Sequence, residues 1–111
     1  MTETSDARGT STAQKTTSET VLLRRYMISP KAWDAFLEVW SEIVPLRERH
    51  GFEILFGFAD RESNIFTWAI RYQGDVEAAA ERYYADPERT ALERVRDYVT
   101  SYEVKNVEQV R

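Results

Sequence analysis

Phe52-Glu-Ile-Leu-Phe-Gly-Phe-Ala59, Asp60-Arg-Glu-Ser-Asn64 and Ile65-Phe-Thr-Trp-Ala-Ile-Arg-Tyr72 follow one another without a gap. Two alternating apolar runs flank a polar turn, the pattern of a β-hairpin with a loop of about five residues. A register centred on Glu62 predicts that Phe58 faces Phe66, Phe56 faces Trp68, Ile54 faces Ile70 and Phe52 faces Tyr72, all on one side of the sheet. The other side then pairs Gly57 with Thr67, Leu55 with Ala69, and Glu53 with Arg71. This register sorts bulky from small side chains and sets an acid against a base, as cross-strand neighbours prefer.

Working outward towards the N-terminus, Val21-Leu-Leu-Arg-Arg-Tyr-Met-Ile28 reads as a first strand, stopped by Ser29-Pro30. Serine suits an N-cap and proline a first helical residue, so the same dipeptide opens a helix. Trp33, Phe36, Leu37, Trp40, Ile43 and Val44 recur at spacings of three and four, which places both tryptophans on one face. The helix is expected to end near His50 with Gly51 as a left-handed cap. Pro45 is expected to interrupt its last turn by removing a backbone donor.

On the C-terminal side, Gly74-Asp75 opens a second helical region with Val76, Ala79, Ala80 and Tyr83 as its stripe. Asp86-Pro87 reads as a fresh cap, restarting the helix through Leu92, Val95 and Val99, before a last strand over Thr100 to Val107. The order β-α-β-β-α-β is the ferredoxin-like split motif, an α+β fold with a four-stranded antiparallel sheet and both helices on one face. The other face carries apolar residues whichever way the hairpin turns, and apolar surface of that extent marks an interface. The expected partner is a second copy, giving a homodimer.

The chain has 111 residues, no cysteine and one histidine. One domain fits that length, and a disulfide scaffold, a cysteine zinc site and a His-rich metal centre are excluded. A formal charge of −4 argues against nucleic acid or an anionic membrane as partner. No apolar run approaches the ~20 residues of a membrane span. Half of residues 1–20 are Ser or Thr, and that segment reads as a disordered tail without a secretory h-region. The working domain is then 21–111, with a cytoplasmic location expected.

Four passages carry a family resemblance: Leu23-Arg24-Arg25-Tyr26, Pro45-Leu-Arg-Glu-Arg-His-Gly-Phe52, Arg71-Tyr72 and Tyr84-Ala-Asp-Pro-Glu88. In order and spacing, the chain resembles the NIPSNAP family of the dimeric α+β barrel superfamily over nearly all of Val21 to Val107. The resemblance implies two ferredoxin-like subunits joined through their sheets, with a pocket between sheet and helices in each. Superfamily relatives include cofactor-independent monooxygenases of aromatic polyketides, haem-degrading enzymes and small isomerases or cyclases, but a shared fold does not transfer an activity.

Candidate site residues follow. His50 alone titrates near neutral pH and could act as an acid or base, or simply meet the dipole of its helix terminus. Arg24 and Tyr26 share a strand face and could orient a substrate oxyanion, or form an ordinary salt bridge and boundary tyrosine. Arg71 is expected to be committed to Glu53. Trp33, Phe36, Trp40, Phe56 and Trp68 could line an aromatic cavity or be core, with Trp40, Trp68 and Tyr84 the expected substrate-binding residues. No metal ligands and no cofactor are expected. The functional expectation is a small cofactor-independent enzyme acting on a hydrophobic or aromatic metabolite; the alternative is a non-catalytic binding or dimeric scaffolding module.

Overall fold

The computed structural model describes residues 19–111; the reading of a disordered tail falls on residues 1–18, outside the described residues. The elements are β1 (Glu19–Ile28), α1 (Trp33–Arg49), β2 (Glu53–Asp60), β3 (Ile65–Gln73), α2 (Val76–Ala85), α3 (Pro87–Thr90) and β4 (Val99–Val107). The first strand thus begins two residues before Val21. The sheet is four-stranded and antiparallel in the order β2-β3-β1-β4. This is the α+β, ferredoxin-like arrangement that the order of elements predicts. One sheet face, carrying Phe66, Trp68 and Ile70, packs with Trp33, Phe36, Val39 and Ile43 of α1 and Ala79 and Tyr83 of α2 in a single core.

The hairpin corrects the predicted register. Glu53 pairs with Arg71 and Ile54 with Ile70 as expected, but Phe56 then faces Ala69, Gly57 faces Trp68 and Phe58 faces Thr67. A shift between Ile54 and Phe56 leaves Leu55 as one extra residue, a β-bulge. Its cause is a conflict between the two ends of the hairpin. The turn pairs Asp60 with Ile65 and contains Asn64 in the left-handed region at φ 58°, so it encloses four residues rather than five. That closure sets a register one residue away from the one the far end needs to keep Ile54 on the core side. The bulge reconciles them, and Phe56 and Phe58 emerge on the face away from the helices, stacked 5.1 Å apart.

Gly57 takes the inward position that the bulge vacates. A Cβ there would lie 3.0 Å from Trp40 Cη2 and 3.3 Å from Phe66 Cζ, so only glycine lets the Trp40 ring lie against the strand. Gly57→Val is expected to cost about 1–3 kcal/mol by overpacking, measured as a lowered midpoint of urea unfolding.

Pro45 does not interrupt α1, which runs through to Arg49. The residues beyond it, Leu46 and Arg47, are buried, and their packing outweighs the ~3 kcal/mol cost of an internal proline. The helix closes in a Schellman motif: Phe52 N donates to Arg47 O at 3.1 Å, Gly51 N to Glu48 O at 3.0 Å, and Gly51 sits at φ 91°. Ser29 makes no side-chain cap bond, and a single 3₁₀ turn over Pro30–Ala32 precedes α1.

The restart at Asp86-Pro87 is real but short. Asp86 Oδ1 accepts from Glu88 N at 2.8 Å, α3 lasts one turn, and the chain then winds as a 3₁₀ helix over Glu93–Tyr98. Leu92, Val95 and Tyr98 are spaced by three, which a 3₁₀ helix places on one side and an α-helix does not. Val99 accordingly belongs to β4 instead of closing a helical stripe.

Candidate functional site

Between the helix-covered face of the sheet and α1, α2 and α3 lies a cavity of about 760 Å³. Strand alternation brings Arg24 and Tyr26 of β1 to the same face, where Arg24 Nε donates to Tyr26 Oη at 2.9 Å. Arg24 is the register partner of Trp68, and its guanidinium lies 5.6 Å from that ring. Trp40 from α1 meets Trp68 edge to face at 5.7 Å. The walls are therefore aromatic, and three of the arginines that line the cavity, Arg24, Arg47 and Arg89, gather at the Tyr84 end.

That end is built around two adjacent tyrosines of α2. Arg47, only 3% exposed, lies 3.9 Å over the Tyr83 ring and donates through Nη2 to Tyr84 Oη at 3.2 Å. Arg89, 6% exposed, lies 5.2 Å over the Tyr84 ring and donates through Nη1 to Glu93 at 3.1 Å. Burial lowers the Arg47 guanidinium below its ordinary pKa. Burial likewise raises the Tyr83 phenol, the opposing fields of Arg47 and Arg89 being too weak to reverse it. For Tyr84 the balance tips the other way. Burial would raise its phenol, but Arg47, Arg24 and Arg89 together hold it below the usual tyrosine value.

Of the residues singled out from sequence, Arg24, Tyr26, Phe36, Trp40, Trp68 and Tyr84 line the cavity. His50 does not. It sits at the end of α1 with Nε2 2.8 Å from Asp86 Oδ2 and its ring edge-on to Tyr83 at 5.8 Å, tying α1 to the start of α3. Arg71 is bound to Glu53, at 2.7 Å from Nη2. Phe56 is carried out of the aromatic interior by the bulge, and Trp33 donates its indole N–H to Asn64 Oδ1 at 2.9 Å, beside the hairpin turn.

Sequence reasoning missed Arg47 and Arg89. A signal existed for each: Arg47 continues the stripe Trp33, Phe36, Trp40, Ile43 at helical spacing, and Arg89 stands three residues before Leu92 and six before Val95. An arginine set into an apolar stripe is an anomaly, since arginine is seldom buried without a partner.

The His50–Asp86 contact has a pH consequence. Hydrogen bonding to His50, followed by that to Glu88 N, holds the Asp86 carboxyl below its ordinary value. A depressed carboxyl contributes stability that is full above its unfolded pKa and lost as pH falls through the folded one. The thermal midpoint is therefore expected to fall below about pH 4, and Asp86→Asn to lower it by a few degrees at pH 7 while flattening that acid limb, measured by scanning calorimetry.

Among the described residues no group of three or more His, Asp or Glu side chains is placed to hold a metal ion, and no helix is long and apolar enough to cross a membrane. No protein-family model and no curated protein matches the sequence. Solved structures do. A NIPSNAP domain protein from Burkholderia xenovorans superposes with a TM-score of 0.72 at 18% identity, covering 82% of this chain and 94% of that one. A NIPSNAP family protein of unknown function from Agrobacterium tumefaciens gives 0.71 at 22% identity, with 84% and 89% covered. A protein assigned as an antibiotic biosynthesis monooxygenase, from Bacteroides thetaiotaomicron, gives 0.70 at 25% identity, with 84% and 90% covered. The chain has the α+β ferredoxin-like fold that NIPSNAP family proteins share with antibiotic biosynthesis monooxygenase-type proteins, the fold of the dimeric α+β barrel superfamily.

Proposed function

We propose that the protein is a small cofactor-independent enzyme, of monooxygenase, isomerase or cyclase type, acting on a hydrophobic or aromatic metabolite. The observation that carries this reading is geometric: the Tyr84 phenol, bonded by Arg47 and lying under Arg89, stands in the wall of an aromatic cavity that Arg24 and Tyr26 also line. Tyr84 takes a proton from an acidic C–H or O–H of the substrate, leaving the negative charge on a substrate oxygen. Arg24 faces that oxygen and Tyr26 donates to it, so charge develops where donors already stand. Trp40 and Trp68 hold the flat part of the substrate. His50 is a positioning residue: paired with Asp86, it keeps the α3 end of the wall against α1. Proton removal beside a carbonyl is the step that isomerases, cyclases and cofactor-free oxygenases have in common, and the names of the monooxygenase-type neighbours are consistent with it.

A thermal-shift screen of aromatic metabolites, followed by turnover assays on those that bind, tests the reading. A ligand at about one hundred times its Kd stabilises the folded state by about 2.7 kcal/mol, and Trp40→Ala is expected to abolish that shift. Binding without turnover of any stabilising compound would favour the non-catalytic module instead.

The partner we propose is a second copy of the chain. Phe58 is 65% exposed and Phe56 37%, on the sheet face that no helix covers, and pairing two such faces would remove them from water. Light scattering after size exclusion is expected to show about twice 13.0 kDa, and Phe58→Asp to shift the population towards the single chain. A cytoplasmic location belongs with this reading of a metabolite enzyme.

A further inference from the structure

Four buried side-chain nitrogens have no hydrogen-bond partner among the described residues: Trp40 Nε1, Trp68 Nε1, Arg47 Nε and Arg89 Nε. All four belong to residues that line the one cavity described above. All four are donors. Trp68, Arg47 and Arg89 are each more than nine-tenths buried, and an unpaired donor at that depth costs free energy that only an acceptor returns. The charges agree. The chain carries a net −4, yet the cavity wall holds Arg24, Arg47, Arg89 and Arg96 and no Asp or Glu. Glu93, which pairs with both Arg89 and Arg96, is the only carboxylate among the described residues that an ion pair joins to these arginines. Arg47 has aromatic faces around it, Tyr83 at 3.9 Å and Phe52 at 4.7 Å, and one hydrogen bond, to Tyr84 Oη, but no carboxylate pairs with it among the described residues, and these contacts recover only part of the desolvation of a buried guanidinium.

We propose that the ligand of this cavity carries an oxyanion, a carboxylate or a phosphate, seated between the guanidiniums of Arg47 and Arg89, with its aromatic part against Trp40 and Trp68. The planar fork of each guanidinium matches two oxygens of such a group. This rests on the reading of the cavity as a small-molecule site. It narrows that site from hydrophobic aromatic compounds at large to aromatic acids or aryl phosphates, with the reacting oxygen left to Arg24 and Tyr26.

Three naphthalene probes of one size separate the possibilities: 2-naphthoate, the neutral 2-naphthamide, and 2-naphthyl phosphate. Binding is read by quenching of tryptophan fluorescence, with inorganic phosphate as competitor. The expected result is that one or both anions bind at least about tenfold more tightly than the amide, that the preference weakens as salt is raised, and that Arg47→Met and Arg89→Gln each remove it. The tighter of the two anions identifies the oxyanion. Equal binding of all three probes would overturn the oxyanion while leaving the aromatic cavity standing. Binding of none would overturn both. The comparison of probes is made on the unaltered protein, so it holds even where Arg47→Met does not fold.

Discussion

Tyr84→Phe is expected to lower turnover by about two to four orders of magnitude while changing aromatic binding only a few-fold, the range for removal of a positioned proton-transfer group. The ring stays, with its contacts to Tyr83 at 4.9 Å and its place beneath Arg89, and only the oxygen that Arg47 addresses is lost. Because the base works deprotonated, kcat/KM should rise with pH through the folded pKa of Tyr84. That limb lies below the ordinary tyrosine value of about 10, since Arg47, Arg24 and Arg89 outweigh burial. Arg47→Met should move the limb upward, a change that a merely structural arginine would not produce. The tyrosinate band in the near ultraviolet gives a check independent of substrate: in the wild-type protein one phenol should titrate early, and Tyr84→Phe should remove it. Retained turnover with an unshifted limb would dismiss Tyr84 as the base.

Trp68→Ala is expected to cost about 3–5 kcal/mol, the scale for deleting a fully buried large aromatic side chain. Trp68 is 2% exposed, meets Tyr26 and Trp40 edge to face, and has Arg24 and Arg47 near its ring face. Its loss opens the core into the cavity and leaves two arginines without the surface they rest on. Urea unfolding would register the change as a lower midpoint with a similar slope. A loss under about 1 kcal/mol would mean that the site collapses around the gap and that the aromatic wall is not rigid. Trp68→Phe should retain most of the stability, because an aromatic ring still separates β3 from α1.

The elements and their order were legible in the sequence because each is marked by short-range signals. Gly51 at the end of α1, Asp75 and Asp86 as caps, and the alternation of Ile65 to Tyr72 are all local. What escaped was decided by distant parts meeting. The bulge at Leu55 arises because the turn at Arg61–Asn64 and the core around Ile54 require different registers, and neither stretch alone contains the conflict. Pro45 looked like a stop because its cost is local, whereas the packing of Leu46 and Arg47 that overrides it comes from elements far along the chain. The same holds for the site. Arg24 and Tyr26 could be paired from alternation on one strand. Arg47, however, resembled the cations that commonly close a helix, and its partner Tyr84 lies 37 positions away. Only the fold makes a buried guanidinium cluster out of residues that look solvated.

An edge strand carries something like a reading frame, and here Leu55 is the nucleotide-like insertion that shifts it. Upstream of that position the odd residue, Glu53, looks outward with Arg71; downstream the even ones, Phe56 and Phe58, do. Excising Leu55 would therefore join the two frames into one: Phe56, opposite Ala69, would follow Ile54, opposite Ile70, in plain alternation from Glu53 to Asp60. The phenylalanines would keep to the outside and Gly57 would stay under the Trp40 indole, while the kink and added twist that the extra residue gives this rim would be lost. One supernumerary residue thus lets a hairpin closed by four residues turn Ile54 towards the helices and a phenylalanine pair away from them within one short strand.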